Sequence, residues 1–199
     1  MTSRMKRGVG AFFRGQGVYA IHVLGLIAPG LEIPVLKAHQ VSSQAIDDWS
    51  DDDLRLMVEE GRRQLDRQLS DLTQIRSRAQ WLFTVGAAIT VAVAGAFTRT
   101  DPVGGILVLW LLALASLVYG VAGAAAILTV RADFKTIDTA VLSASDLPIL
   151  RTLAISYSRM LGTGENTVAT RLTVLWQAVL FVITGGYLGL IAYLIEHWA

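Results

Sequence analysis

The chain has 199 residues, the size of one domain with an appendage. Hydrophobic residues make up 53% and charged residues 17%, against about 25% charged in ordinary soluble domains, and the mean hydropathy of +0.52 excludes a soluble enzyme built on one large core. A net charge of +1 leaves no global field for nucleic acid, and the absence of Cys excludes disulfides, thiol catalysis, cysteine-ligated zinc and iron–sulfur clusters.

The first 45 residues are the least regular. Arg4, Lys6, Arg7 and Arg14 precede an apolar run over 18–28, the outline of a signal peptide, but His22 lies inside the run and no small-x-small cleavage site follows. A span over 17–36 would carry Glu32 into the bilayer together with Pro29 and Pro34, and an unpartnered carboxylate at depth costs several kcal/mol. Residues 1–45 are therefore read as a cytoplasmic arm in which two extended runs, 18–27 and 31–36, flank a turn at Pro29-Gly30. Translation from Met57 is an open alternative.

Ser50 is an N-cap, and Asp51, Asp52 and Asp53 place negative charge in a first turn, where the helix dipole favours it. Leu54, Val58, Gly61, Leu65, Gln68, Leu72, Ile75 and Ala79 then recur at steps of four and three, the spacing of a coiled-coil seam, while the charged residues fall elsewhere. No Pro or turn signal interrupts the pattern before the charge-free run 79–98. One helix from Asp51 to Phe97 is expected, with a cytoplasmic amphipathic half (46–78) and a membrane half.

Residues 98–102 close a tight hairpin, with Pro102 starting a second span. The charge-free run 102–130 would be about 43 Å long as a helix, more than the ~30 Å hydrocarbon core. Emergence is expected, with Val130, Phe134, Ile137 and Val141 extending an apolar stripe into a cytoplasmic segment (131–170). Ser145 or Asp146 caps the next helix, and Pro148 lies in its first turn. Leu150, Leu153, Ala154, Tyr157 and Leu161 line its apolar face, and Gly162-Thr163-Gly164 is expected to end it, with a continuous helix as the alternative. The third span covers 171–199, its charge-free part being 172–195.

Basic residues crowd one side of these spans: Arg62, Arg63, Arg67, Arg76 and Arg78 before the first, and Arg131, Lys135, Arg151, Arg159 and Arg171 between the second and third. Arg99 stands alone on the other side. The positive-inside rule places the N-terminus in the cytoplasm and the C-terminus outside. Arg76, Arg78, Trp81, Arg131 and Arg171 then mark the inner interface, with Trp176 nearby and Phe97, Tyr193 and Trp198 at the outer one. Arg outnumbers Lys 14 to 3, a hint of a GC-rich bacterial genome.

No catalytic, cofactor or metal constellation is present in the sequence. His22, His39 and His197 are scattered, Gly162-Thr163-Gly164-Glu165-Asn166 lacks the Lys-Ser/Thr of a phosphate loop, and the aspartates near 50 lack EF-hand spacing. The charge-free spans also lack the ionisable groups on which proton- and ion-coupled transporters depend. Thr84, Thr90, Ser116, Tyr119, Gln177 and Thr184 are expected to bond to backbone carbonyls or neighbouring helices rather than line a pore. Small residues are more informative: Ala88, Ala92 and Ala96 in the first span, Ser116, Gly120 and Ala124 in the second, and Gly185 and Gly189 in the third. These faces serve either packing within the chain or self-association.

An amphipathic helix of the type Glu59-Glu60-Gly61-Arg62-Arg63-Gln64-Leu65-Asp66-Arg67-Gln68-Leu69, entering the membrane through Arg76-Ser77-Arg78-Ala79 and followed by a tight transmembrane hairpin, resembles the SLATT and Pycsar-effector groups. These are small bacterial membrane proteins that accompany nucleotide-signalling antiphage systems. The resemblance covers residues 54–195 and is architectural; the third span departs from the simplest two-span pattern. It implies membrane disruption by an assembled effector and carries over no ligand-binding residue.

The sequence thus predicts an all-α polytopic membrane protein with three transmembrane helices and a cytoplasmic helical stalk. Its expected partners are the lipid bilayer, further copies of itself as a homo-oligomer, and an unidentified cytoplasmic ligand or partner protein. The expected function is that of a non-enzymatic effector responding to a cytoplasmic signal. The alternative is a structural or accessory subunit of a larger membrane complex, and a lipid-modifying enzyme ranks behind both for want of an interfacial His/Asp/Glu/Ser constellation.

Overall fold

A computed structural model of the chain describes residues 15–26, 49–100, 102–130 and 148–198. These residues form helices α1 (residues 15–26), α2 (Asp51–Phe97), α3 (Gly105–Thr129) and α4 (Ile149–Trp198). The regular structure of the described residues is all helical, as expected, and α2, α3 and α4 are each long and apolar enough to cross a membrane. It divides into two compact units. An apolar unit draws on residues 1–34, 75–130 and 171–199, and a charged unit on residues 35–74 and 131–170.

In the charged unit, the Ser50 carbonyl accepts the first helical bond of α2 from the Leu54 N–H at 3.0 Å. The Ser50 hydroxyl accepts the Asp53 N–H at 3.3 Å and donates to the Asp53 carboxylate at 2.6 Å, a capping box with Asp in place of the longer Glu. Along α2, Leu54, Gly61, Gln68 and Leu72 are buried, and Val58 and Leu65 are half-buried. This is one face of the helix, and it meets α4. Leu54 and Ala154 centre a small core with Met57, Val58, Leu150 and Ile155. Further along, Gly61 lies against Tyr157, and the Gln68 amide donates to the Leu161 carbonyl at 3.2 Å beside Gly164. Residue numbers rise together on both helices, so they run parallel, with Gly61–Tyr157 and Gln68–Gly164 each 96 residues apart.

Two expectations are corrected at α4. The Gly162-Thr163-Gly164 segment does not end the helix, which continues to Trp198. A glycine inside a helix costs only ~1 kcal/mol relative to alanine, and Gly164 leaves the space that the Gln68 side chain fills. Pro148 precedes the helix rather than lying in its first turn, and its carbonyl accepts from the Arg151 and Thr152 N–H groups. Ser145 and Asp146 lie outside the described residues.

In the apolar unit, α2 ends in a turn at 98–100, where the Thr98 and Arg99 N–H groups bond back to Ala94 and Ala96. The expected hairpin follows. The second helix starts at Gly105 rather than Pro102 because the chain first turns through Gly104 at φ +61°, a conformation that favours glycine. It stops at Thr129, and Val130 is extended. The stripe expected at Phe134, Ile137 and Val141 lies outside the described residues. α3 packs antiparallel to the other two spans, and within this unit the paired residues of α2 and α4 repeat the 96-residue separation at Gly86–Val182 and Val93–Gly189.

The N-terminal segment is the largest correction. Residues 15–26 are helical, not extended, and belong to the apolar unit. The run 31–36 and the Pro29-Gly30 turn lie outside the described residues.

Candidate functional site

The close approach of the three spans depends on missing side chains. A Cβ on Gly86 would stand 2.9 Å from Val121 and 3.3 Å from Val182, and one on Gly120 would stand 2.8 Å from Val182 and 3.0 Å from the Ala178 carbonyl. Gly185 meets Leu117 and the Ala113 carbonyl on α3, while Gly189 meets Val93 on α2. Ala124 is fully buried. Of the two uses open to these small faces, packing within the chain occupies Gly120, Ala124, Gly185 and Gly189. The first span differs: Ala88 and Ala92 are exposed, and nothing lies near a Cβ placed on Gly95.

The α1 helix seats on spans two and three through Gln16 and Tyr19, which the sequence reading did not single out, and through His22, which it did not assign to packing. Tyr19 is fully buried, its ring packed edge-on to Tyr119 and tilted against Phe181, and its hydroxyl donates to the Tyr119 carbonyl at 2.7 Å. Gly123 makes room for that ring, because a Cβ there would overlap the Tyr19 hydroxyl. Gln16 donates to the Gln177 side-chain oxygen, and His22 is buried with Nδ1 3.0 Å from the Val18 carbonyl. A carbonyl only accepts, so Nδ1 carries the hydrogen, and burial holds the imidazole below its ordinary pKa. The available signal was the spacing: Gln16, Tyr19 and His22 recur every three residues on one helical face. Among the other polar residues of the spans, Thr84 and Thr90 donate to the Gln80 and Gly86 carbonyls of their own helix.

At the end of the apolar unit where its α2 and α4 segments begin, the expected interface residues separate into two groups. Arg171 is 4% exposed and turned inward. Its Nη1 and Nη2 donate to the Ile127 and Val130 carbonyls at 3.5 and 2.6 Å, satisfying last-turn acceptors of α3 and meeting the negative end of its dipole. Arg76 and Arg78 are exposed, as are the indoles of Trp81 and Trp176. Arg131 lies outside the described residues. Leu72 and Ile75 of the heptad stripe are 6% and 5% exposed, and Leu65 is half-buried.

The charged unit carries a groove of about 590 Å³ lined by Trp49, Asp53, Leu56, Met57, Glu60 and Leu161 among others. Its floor is apolar and its two carboxylates disfavour an anionic occupant. No group of His, Asp and Glu among the described residues has the arrangement of a metal site. The chain matches no protein-family model, no curated protein and no solved structure.

Proposed function

We propose that this is a non-enzymatic, self-associating protein of the bacterial inner membrane, a membrane-disrupting effector with its N-terminus in the cytoplasm and its C-terminus outside. The charged unit receives a cytoplasmic signal and the spans deliver the response. The basic asymmetry of the sequence supports the orientation. The architectural likeness to SLATT and Pycsar-effector proteins supports a setting in antiviral defence, and the heptad spacing supports a coiled-coil stalk. α2 and α4 each supply residues to both units without a break, which offers a route from input to output.

The observation that carries self-association is the small-residue face of the first span. Every other glycine or alanine face named above is taken up by the chain's own helices, whereas Ala88 and Ala92 remain exposed one turn apart. In lipid, helices associate through surfaces that let backbones approach. Ala88→Leu with Ala92→Leu should shorten the cross-linked ladder in native membranes and reduce dye leakage on induced expression, with monomer melting unchanged. An undiminished ladder and undiminished leakage would overturn the reading.

A further inference from the structure

The described residues of the apolar unit contain a single carboxylate, Glu196, which accepts the Trp110 indole N–H at 3.1 Å. Glu196 lies 25 residues along α4 from Arg171, on the order of 37 Å for a helix, so it neutralises nothing at the arginine end. Arg76, Arg78 and Arg171 all lie at that end. Arg171 is compensated by the carbonyls of α3, and the charge of Arg76 is close enough to bear on it. Arg76 and Arg78 are exposed and make no ion pair or side-chain hydrogen bond among the described residues.

Depth identifies what such charges meet. Trp81 is 71% exposed and Trp176 is 63% exposed, each five residues further into its helix than Arg76 and Arg171 respectively. Exposed indoles settle at the level of the headgroups. About 7.5 Å of helix separates Trp81 from Arg76 and Trp176 from Arg171, and about 4.5 Å separates Trp81 from Arg78, which puts Arg76 and Arg78 on the water side of the indoles, at phosphate level. A planar guanidinium matches phosphate oxygens bidentately. Zwitterionic headgroups bring their own cation, so arginines that have no ion-pair partner among the described residues select lipids with net negative charge.

We infer that Arg76 and Arg78, two residues apart and so on different sides of α2, each take the headgroup of an anionic phospholipid in the inner leaflet, Arg76 beside the inward-turned Arg171. This rests on the membrane placement and not on self-association. The full chain, reconstituted in vesicles of phosphatidylcholine with phosphatidylglycerol and then extracted in mild detergent, should retain phosphatidylglycerol preferentially. Arg76→Gln with Arg78→Gln should lose that preference by about fivefold per guanidinium, on the order of 20-fold for both. Arg76→Lys with Arg78→Lys should fall between the parent and the Gln variant, because an ammonium keeps the charge but not the bidentate fork, and Arg99→Gln at the opposite end of the unit should keep the full preference. The single Gln variants, each checked by size-exclusion profile, provide the same test if the double variant folds poorly. Equal retention by the Gln variants and the parent would overturn the inference. Displacement of the lipid by inorganic phosphate at matched ionic strength would also overturn it, by making a free anion the ligand.

Discussion

Gly185 and Gly186 are neighbours in one helix and give a matched test of span packing. A Cβ on Gly185 would stand 2.7 Å from Leu117 Cγ, 2.8 Å from the Ala113 carbonyl oxygen and 2.9 Å from the Leu117 nitrogen. Two of these are backbone atoms that no rotamer change can move. Relieving the contacts requires α3 and α4 to part by about half an ångström, with loss of dispersion contact along the crossing. The nearest atom to a Cβ on Gly186 is Ile89 Cγ2 at 3.9 Å, an ordinary contact. Both Gly→Ala changes gain the same helix propensity, so it cancels in the comparison. What remains is the overpacking at Gly185, about 1–3 kcal/mol. At roughly 2–4 °C per kcal/mol for a chain of this size, Gly185→Ala should melt several degrees below Gly186→Ala. Thermal unfolding of the two variants in the same detergent, followed by circular dichroism, reads the difference directly. Equal melting temperatures would refute the assignment of Gly185 to a tight contact within the chain.

In the charged unit, Leu72→Asp sets a charge at a side chain that is 6% exposed and should cost several kcal/mol, whereas Leu69→Asp, at 49% exposure, should stay within about 0.5 kcal/mol; chemical unfolding of both variants checks the pair. For orientation, Cys introduced at Thr100 or Ala199 should react with an impermeant thiol reagent in intact cells and Cys at Ser70 should not. The reverse pattern would invert the topology.

The parts legible in the sequence were those set by periodicity and charge-free length. The bounds of α2 follow from the Ser50 cap and the Thr98 turn, and the stripe from Leu54 to Ala79 is the face that the structure buries, apart from half-exposed Val58 and Leu65. The parts that escaped were decided between helices. Gly164 reads locally as a breaker, and only the Gln68 side chain opposite explains why it is tolerated. Arg171 carries the same sequence signal as Arg76 and Arg78, but the carbonyls that draw it inward belong to a helix more than forty residues earlier in the chain. The α1 segment reads as extended because Glu32, Pro29 and Pro34 argue against a span over 17–36, and its polar stripe makes sense only against Tyr119, Gly123 and Gln177.

The pairing of α2 with α4 in the charged unit constrains the kind of movement that the pair can make. At two levels a glycine on one helix faces a long side chain on the other, and the roles alternate: Gly61 receives Tyr157, and Gly164 receives Gln68. Sliding one helix by a heptad toward the other's N-terminus would set Tyr157 against Leu54. The opposite slide would set it against Gln68, itself buried and tied to Leu161. Neither position offers the hollow that Tyr157 occupies, so a piston stroke must unseat both knobs at once. Splaying from one end can release them in turn. The pair therefore favours unzipping over thrust.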